Sequence, residues 1–137
     1  MRAAATTRIA CRVERAFDLM ADARNEPEWN SRVSNVELRS GEPIGAGSRF
    51  VIVNSGTEYD VRISIFDRPS SLVFEATGNP DVTIAYGFTE NGDATELESE
   101  LDFRPAGLSK VLFFVLAPVI RRDVRKQYAS FKTLCER

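Results

Sequence analysis

The C-terminal part of the chain is one long amphipathic stretch, and it constrains the fold more than any other feature. From Leu108 to about Glu136, apolar residues recur at helical spacing, and Pro105 and Gly107 stand just before it as boundary residues. The pattern predicts an α-helix that, at about 1.5 Å per residue, reaches roughly 43 Å. This length is close to the diameter of a domain of 137 residues, so the helix must cross the whole molecule. Pro118 lies inside the helix and predicts a kink there.

The middle of the chain has a different period. Apolar and polar residues alternate from Thr57 to Phe66 and again from Thr95 to Phe103, which is typical of strands with one buried face. Turn residues separate such segments about every ten residues, which favours short connections and an antiparallel meander. The weaker strands are predicted at Thr6 to Val13, Arg32 to Arg39, Arg49 to Val53, Ser71 to Thr77 and Val82 to Thr89.

Two short helical segments are predicted near the start, at Val13 to Ala21 and around Asn25 to Asn30. Together these elements predict an α+β fold in which a seven-stranded curved antiparallel sheet wraps around the long C-terminal helix. A chain of 137 residues has room for one such domain, covering residues 1–137.

The widths of the predicted layers do not match. Seven strands spaced about 4.8 Å apart make a sheet roughly 30 Å wide, whereas one helix with its side chains covers about 10 to 12 Å. A sheet that curls around a single helix therefore tends to leave a pocket between them. The alternative is a core filled by the nine phenylalanines, because protein interiors are normally close-packed.

Several segments resemble a known family. VERAFDLMADARNEPEW (13–29), GAGSRF (45–50), DRPSSLVF (67–74) and the pair YGF (86–88) and GDATEL (92–97) are similar to the polyketide cyclase/dehydrase-like branch of the START-related, helix-grip superfamily. The resemblance covers essentially the whole chain and implies a cavity for a lipid, sterol, quinone, hormone or polyketide. These motifs mark turns, caps and core positions, so the resemblance transfers no catalytic residue.

Strand parity and helix spacing suggest which side chains line such a cavity. Tyr59 and Tyr86 share the parity of the apolar residues, so their hydroxyls are expected to point inward and orient the polar end of a ligand. Trp29 is expected either to contact ligand or to pin the short helices to the sheet, and Asn54 either to line the pocket or to form a turn. The candidate cavity residues are Trp29, Phe50, Tyr59, Ile63, Phe74, Tyr86, Phe88, Ser99, Leu101, Leu112 and Leu116.

The residue inventory excludes several function classes. Histidine is absent, which removes catalysis by a histidine base and imidazole-ligated metals. The two cysteines, Cys11 and Cys135, are too few for a disulfide framework or a structural zinc site and are expected to be reduced in the cytoplasm. No metal or cofactor is expected. A net charge of −2 gives no attraction for nucleic acid.

Two charged runs have a simple interpretation. Glu96, Glu98, Glu100 and Asp102 oppose the apolar residues of their strand, so they are expected in water, with Arg8 and Arg12 across from them if the first strand pairs with the last. The basic run on the long helix is expected to be solvated. The alternative is a transient contact with an anionic membrane beside the apolar segment 111–120, which is too short to span a bilayer. The basic run comprises Arg121, Arg122, Arg125 and Lys126.

These observations favour a binding or carrier module for a small hydrophobic molecule, as a monomer or a homodimer. The alternative is an aromatase/cyclase-type enzyme acting on a polyketide-like substrate, which would need an ionisable side chain with a shifted pKa inside the cavity. Strand parity supplies no such carboxyl group. A third interpretation is an interaction protein that uses the exposed edge of the long helix.

Overall fold

The computed structural model of the protein describes residues 1–107 and 109–137. The strands are β1 (Arg2–Ile9), β2 (Val33–Leu38), β3 (Arg49–Asn54), β4 (Thr57–Asp67), β5 (Ser71–Thr77), β6 (Asp81–Asn91) and β7 (Ala94–Arg104). The helices are α1 (Val13–Ala21), a short 3₁₀ helix (Ala23–Glu28) and α2 (Ser109–Cys135). Leu108, where the sequence places the start of the long helix, lies outside the described residues.

The strands form one antiparallel sheet in the order β1-β7-β6-β5-β4-β3-β2. Strands β2 to β7 therefore follow one another as the predicted meander, and β1 closes the far edge beside β7. The predicted fold class is confirmed: a curved seven-stranded antiparallel sheet packs against a long C-terminal helix, with two short helices between the first two strands.

The position of the first strand differs from the prediction of Thr6 to Val13. Strand β1 pairs with β7 from Arg2 opposite Asp102 to Ile9 opposite Thr95, and Val13 already begins α1. The alanines at positions 3–5 have weak β propensity, but pairing along the edge of β7 outweighs it. Sequence-based propensity therefore placed this strand too late in the chain.

The predicted helical turn around Asn25 to Asn30 is the 3₁₀ helix, which begins slightly earlier. Asp22 caps it, because its Oδ1 accepts a hydrogen bond from the backbone N–H of Arg24 at 3.1 Å. The turn ends at Trp29, whose backbone N–H donates to the carbonyl oxygen of Glu26 at 3.0 Å. This local structure brings Glu26 and Trp29 beneath α2.

The rest of the protein covers the second half of α2 more fully than the first half. Val124, Tyr128, Phe131 and Leu134 are buried in the core. In the first half, by contrast, large apolar side chains are exposed to solvent, and Phe114 keeps 81% of its surface. The apolar stripe predicted from the sequence is therefore real, but the sheet covers only part of it. Among the described residues, no helix is both long and apolar enough to cross a bilayer.

The charged face of the sheet lies outside, as predicted. Arg8 is opposite Glu96 in the β1–β7 ladder, whereas Arg12 lies beyond that ladder and its guanidinium is 3.7 Å from carboxylate oxygens of both Glu90 and Asp93. Arg2, which the sequence did not single out, is 3.3 Å from Glu100. These pairs are exposed, so each contributes at most about 1 kcal/mol.

Candidate functional site

A cavity of about 420 Å³ lies between the concave face of the sheet, the 3₁₀ helix and α2. This volume falls within the range of roughly 300 to 1,000 Å³ typical of small-molecule sites. Its walls are mainly apolar. Side chains of the sheet that contribute are Ile52, Val61, Phe74, Val82, Ile84 and Leu101, and α2 contributes Phe113, Leu116, Val119, Ile120 and Val124.

Local sequence explains why space remains there. Ala76 on β5 and Ala23 on the 3₁₀ helix both line the cavity with side chains too short to fill it. Strand β4 has a register shift between Ile63 and Ile65, and such an irregularity bends a sheet. The curved sheet and the partly covered helix together leave the hollow that the mismatch of widths predicted.

Six of the residues chosen from the sequence come together at this cavity. They contribute aromatic or aliphatic surface from three different parts of the fold, namely the 3₁₀ segment, the sheet and α2. These residues are Trp29, Tyr59, Phe74, Tyr86, Leu101 and Leu116. Asn54, which the sequence left open between a pocket and a turn, also lines the cavity.

The other five candidates lie outside the cavity lining. Phe50 and Ile63 are fully buried elsewhere in the core. Phe88 packs edge to face on Phe17 of α1, with ring centroids 5.3 Å apart. Ser99 is also buried, and its hydroxyl donates to the carbonyl oxygen of Ala5 at 3.3 Å. Each of these four is buried on the predicted face of the sheet, but none of them lines the cavity.

Leu112 is the fifth, and it is 56% exposed on the outer side of α2. Helical spacing placed it on the same stripe as Leu116, which does line the cavity. The two residues are one turn apart, and only the later one is close enough to the sheet. Leu112 therefore does not line the cavity, contrary to the prediction.

Glu26, which the sequence pattern did not single out, lines the cavity with a carboxyl group from the 3₁₀ helix. Its Oε1 accepts a hydrogen bond from Nδ2 of the buried Asn30 at 3.2 Å. Burial disfavours the charged form and raises the pKa of Glu26 to about 7. A spacing of Ala23, Glu26 and Asn30 on one helical face is the signal that could have found it, but so short a segment has no clear period.

Two buried tyrosines add hydroxyl groups to the same wall. Tyr128 of α2 donates a hydrogen bond to the hydroxyl of Tyr86 at 3.4 Å, and Trp29 stacks on the Tyr128 ring with centroids 6.1 Å apart. Burial, with a smaller contribution from the nearby Glu26 charge, raises the pKa of Tyr128 to about 12 and that of Tyr86 well above its usual value. Both phenols are therefore protonated at neutral pH and can donate hydrogen bonds.

Tyr59 occupies a different position from the one expected. Its ring lines the cavity, but its hydroxyl donates to the carbonyl oxygen of Asn79 at 3.1 Å, in the loop between β5 and β6. Nearby, Arg32 and Asp123 form an ion pair that links the segment before β2 to α2, and both also line the cavity. The polar groups at this part of the wall are thus already bonded within the protein.

The fold is shared with solved structures of low sequence identity. TTHA0849 from Thermus thermophilus has 16% identity and a TM-score of 0.78, covering 98% of this chain and 97% of that one. A START superfamily protein from Mycobacterium smegmatis has 13% identity and a TM-score of 0.72, covering 98% and 94%. The di-domain ARO/CYC StfQ from the steffimycin biosynthetic pathway has 17% identity and a TM-score of 0.73, covering 98% of this chain and 44% of that one.

No curated protein matches the sequence. The family described as polyketide cyclase/dehydrase and lipid transport matches residues 1–136. This match confirms the resemblance seen in the turn and core motifs. The chain belongs to the polyketide cyclase/dehydrase and lipid transport family.

Proposed function

We propose that the protein binds a small, mostly apolar molecule in the cavity between the sheet and α2, as a carrier or binding module. The observation that supports this most is the cavity itself, about 420 Å³ of mainly apolar space with a few polar groups on its wall. Burying about ten CH₂ groups is worth about 8 kcal/mol. That gain is on the scale of a micromolar Kd, about 8 kcal/mol, before the cost of immobilising the ligand.

A second candidate is an aromatase/cyclase-type enzyme that uses the same cavity, and Glu26 favours it. Strand parity supplied no carboxyl group for the pocket, but Glu26 comes from the 3₁₀ helix and lines it. A carboxyl group with a pKa of about 7 suits proton transfer near neutral pH. Binding ranks first because apolar burial and hydrogen bonds are sufficient for it, whereas catalysis also needs a substrate held against Glu26.

Both a binding role and a catalytic role are compatible with the family, because its description names cyclases, dehydrases and lipid transport together. A turnover assay separates them. If the protein is an enzyme, Glu26→Gln abolishes conversion of a polyketide-like substrate while the variant still folds and still binds the substrate.

A transient membrane contact and a cytoplasmic location remain parts of this proposal. The exposed apolar side chains of α2 lie near Arg121, Arg122 and Arg125, which are exposed as well. Such an arrangement suits a lipid surface with negative charge. Co-sedimentation with anionic vesicles at low ionic strength tests the contact, and sedimentation of the protein alone distinguishes monomer from homodimer.

The central experiment uses two variants that add the same side chain on opposite faces of the sheet. Ala76→Phe fills the cavity from β5, whereas Ala85 lies on the opposite face of β6, between Val73 and Glu100, so Ala85→Phe adds the same bulk outside. A panel of sterols, quinones, aromatic polyketides and fatty acids is tested by native mass spectrometry and titration.

We expect Ala76→Phe to weaken binding by about tenfold or more, because its ring takes the volume that the ligand would bury. Ala85→Phe should bind as the wild type does. Circular dichroism and thermal unfolding confirm that both variants fold. No binder in the panel, or equal affinities of the two folded variants, would contradict the proposal.

A further inference from the structure

Three acidic side chains among the described residues line the cavity, and they differ in their partners. Asp22 is paired with Arg24 at 2.8 Å, and Asp123 is paired with Arg32. Glu26 has no cationic partner among the described residues, since its one hydrogen bond comes from the neutral amide of Asn30. Glu26 is therefore the acidic group of the described lining that a ligand would meet without a neutralising charge beside it.

The two oxygens of the Glu26 carboxyl group differ in their hydrogen bonding. Oε1 accepts from Asn30, and Oε2 has no protein partner among the described residues. Yet no buried side-chain oxygen or nitrogen in the described part of the chain lacks a partner. Oε2 is therefore accessible to a small molecule, and Glu26 is one of the residues that line the cavity.

The hydroxyls of Tyr86 and Tyr128 complete the polar part of this wall. They hydrogen-bond to each other, and both are buried. The charge of Glu26 contributes to raising the pKa of each. A hydroxyl accepts as well as donates, so the tyrosine pair can hydrogen-bond the oxygen of an alcohol or phenol while Oε2 accepts a hydrogen bond from the ligand O–H. A carboxylate ligand would instead place a second negative charge beside Glu26 in surroundings that screen it weakly.

We propose that Glu26 determines specificity, so that the cavity selects apolar molecules carrying a neutral hydroxyl group and rejects those carrying a carboxylate. This inference rests on the proposed function and narrows its ligand class to alcohols and phenols, away from free fatty acids. The discrimination between hydroxyl and carboxylate ligands comes as much from the repulsion between Glu26 and a carboxylate as from the hydrogen bonds made to a hydroxyl.

The test uses three ligands that share one ring system: naphthalene, naphthol and naphthoate. At about pH 8 naphthol is neutral, naphthoate is ionised, and Glu26 carries its charge because its pKa is about 7. Each ligand is titrated into the wild type, into Glu26→Gln and into Glu28→Gln. Glu28 is the matched control because it lies on the same 3₁₀ helix but is exposed.

We expect the wild type to bind naphthol about tenfold or more tightly than naphthoate, since one unfavourable charge contact of about 1.4 kcal/mol already gives that ratio. Glu26→Gln should lower this ratio severalfold, chiefly by improving naphthoate binding, and Glu28→Gln should leave it unchanged. In the wild type the ratio should also shrink at about pH 6, where Glu26 is largely protonated while naphthoate is still ionised. This pH dependence needs no variant to fold.

The results separate the two claims. If none of the three ligands binds, including naphthalene, the proposed function fails. If they bind but the wild type holds naphthol and naphthoate equally well, or the ratio is the same in Glu26→Gln and at both pH values, the role of Glu26 is refuted while the cavity remains a binding site.

Discussion

Replacing Glu26 with glutamine should stabilise the folded protein at about pH 8, although it removes a charged group from a candidate site. Burial raises the pKa of the Glu26 carboxyl from 4.5 to about 7. Each pKa unit corresponds to about 1.4 kcal/mol, so the ionised carboxyl costs the folded state up to about 3 kcal/mol. Glutamine removes this cost and still offers an oxygen to Nδ2 of Asn30, which lies 3.2 Å from Oε1.

The pH dependence has a defined sign. The folded-state pKa lies above the unfolded one, so the folded state holds the proton more tightly. Below pH 4.5 the carboxyl is protonated in both states and carries no penalty. As the pH rises to about 7, the unfolded state releases its proton first and the wild type loses stability. Above that pH the wild type has lost this part of its stability completely, whereas Glu26→Gln has no carboxyl group at this position and loses none.

The assay is urea unfolding of the wild type, Glu26→Gln and the exposed control Glu28→Gln at several pH values from about 4 to about 8. The difference in unfolding free energy between Glu26→Gln and the wild type should grow with pH across this window and then level off. A variant that is less stable than the wild type at about pH 8, or a difference that does not change with pH, would refute the burial of this carboxyl.

Three further predictions concern packing and thiol chemistry. Phe131→Ala should lower the free energy of unfolding by about 3 to 5 kcal/mol in urea titrations, because the ring is fully buried. Gly78→Ala should lower the melting temperature, since an added Cβ would lie 2.4 Å from the ring of Tyr59. Burial raises the pKa of Cys11 and raises that of Cys135 to about 12, so an aromatic disulfide reagent should modify both thiols slowly in the native protein and rapidly in urea.

Each of these three predictions has a control or a result that would contradict it. Gly87→Ala places a Cβ in open space, so it should cost less than the Gly78 change, and equal losses would contradict the contact with Tyr59. A loss below about 1 kcal/mol for Phe131→Ala would contradict its place in the core. Rapid modification of both thiols at neutral pH without denaturant would contradict their burial.

Much of the fold could be predicted because its signals extend over many residues. The period of α2 holds for more than twenty residues, and β4 alternates from Thr57 to Ile63, where its register shifts. Strand β1 was misplaced because its register depends on β7, which is far away in sequence. The bounds of a long periodic element can be predicted from its own sequence, whereas those of an edge strand depend on the strand with which it pairs.

The site was only partly predictable for a related reason. Parity tells which face of a strand a residue occupies, but not which covering element lies above it, so Phe88 under α1 and Tyr86 beneath α2 look alike in sequence. Helical spacing likewise could not tell that Leu112 lies beyond the sheet. Glu26 was missed because a six-residue 3₁₀ helix has too little length to reveal which face is buried.

The central claim, that the cavity holds an apolar guest, can be tested through the single tryptophan of the chain, Trp29, which lines it. A long-chain alcohol carrying bromine quenches indole fluorescence only on contact, so titrating it reports occupancy of the cavity. The account predicts saturable quenching of Trp29 in the wild type and in Ala85→Phe, and its loss in Ala76→Phe. Absence of saturable quenching in the wild type, or equal quenching in all three proteins, would contradict it.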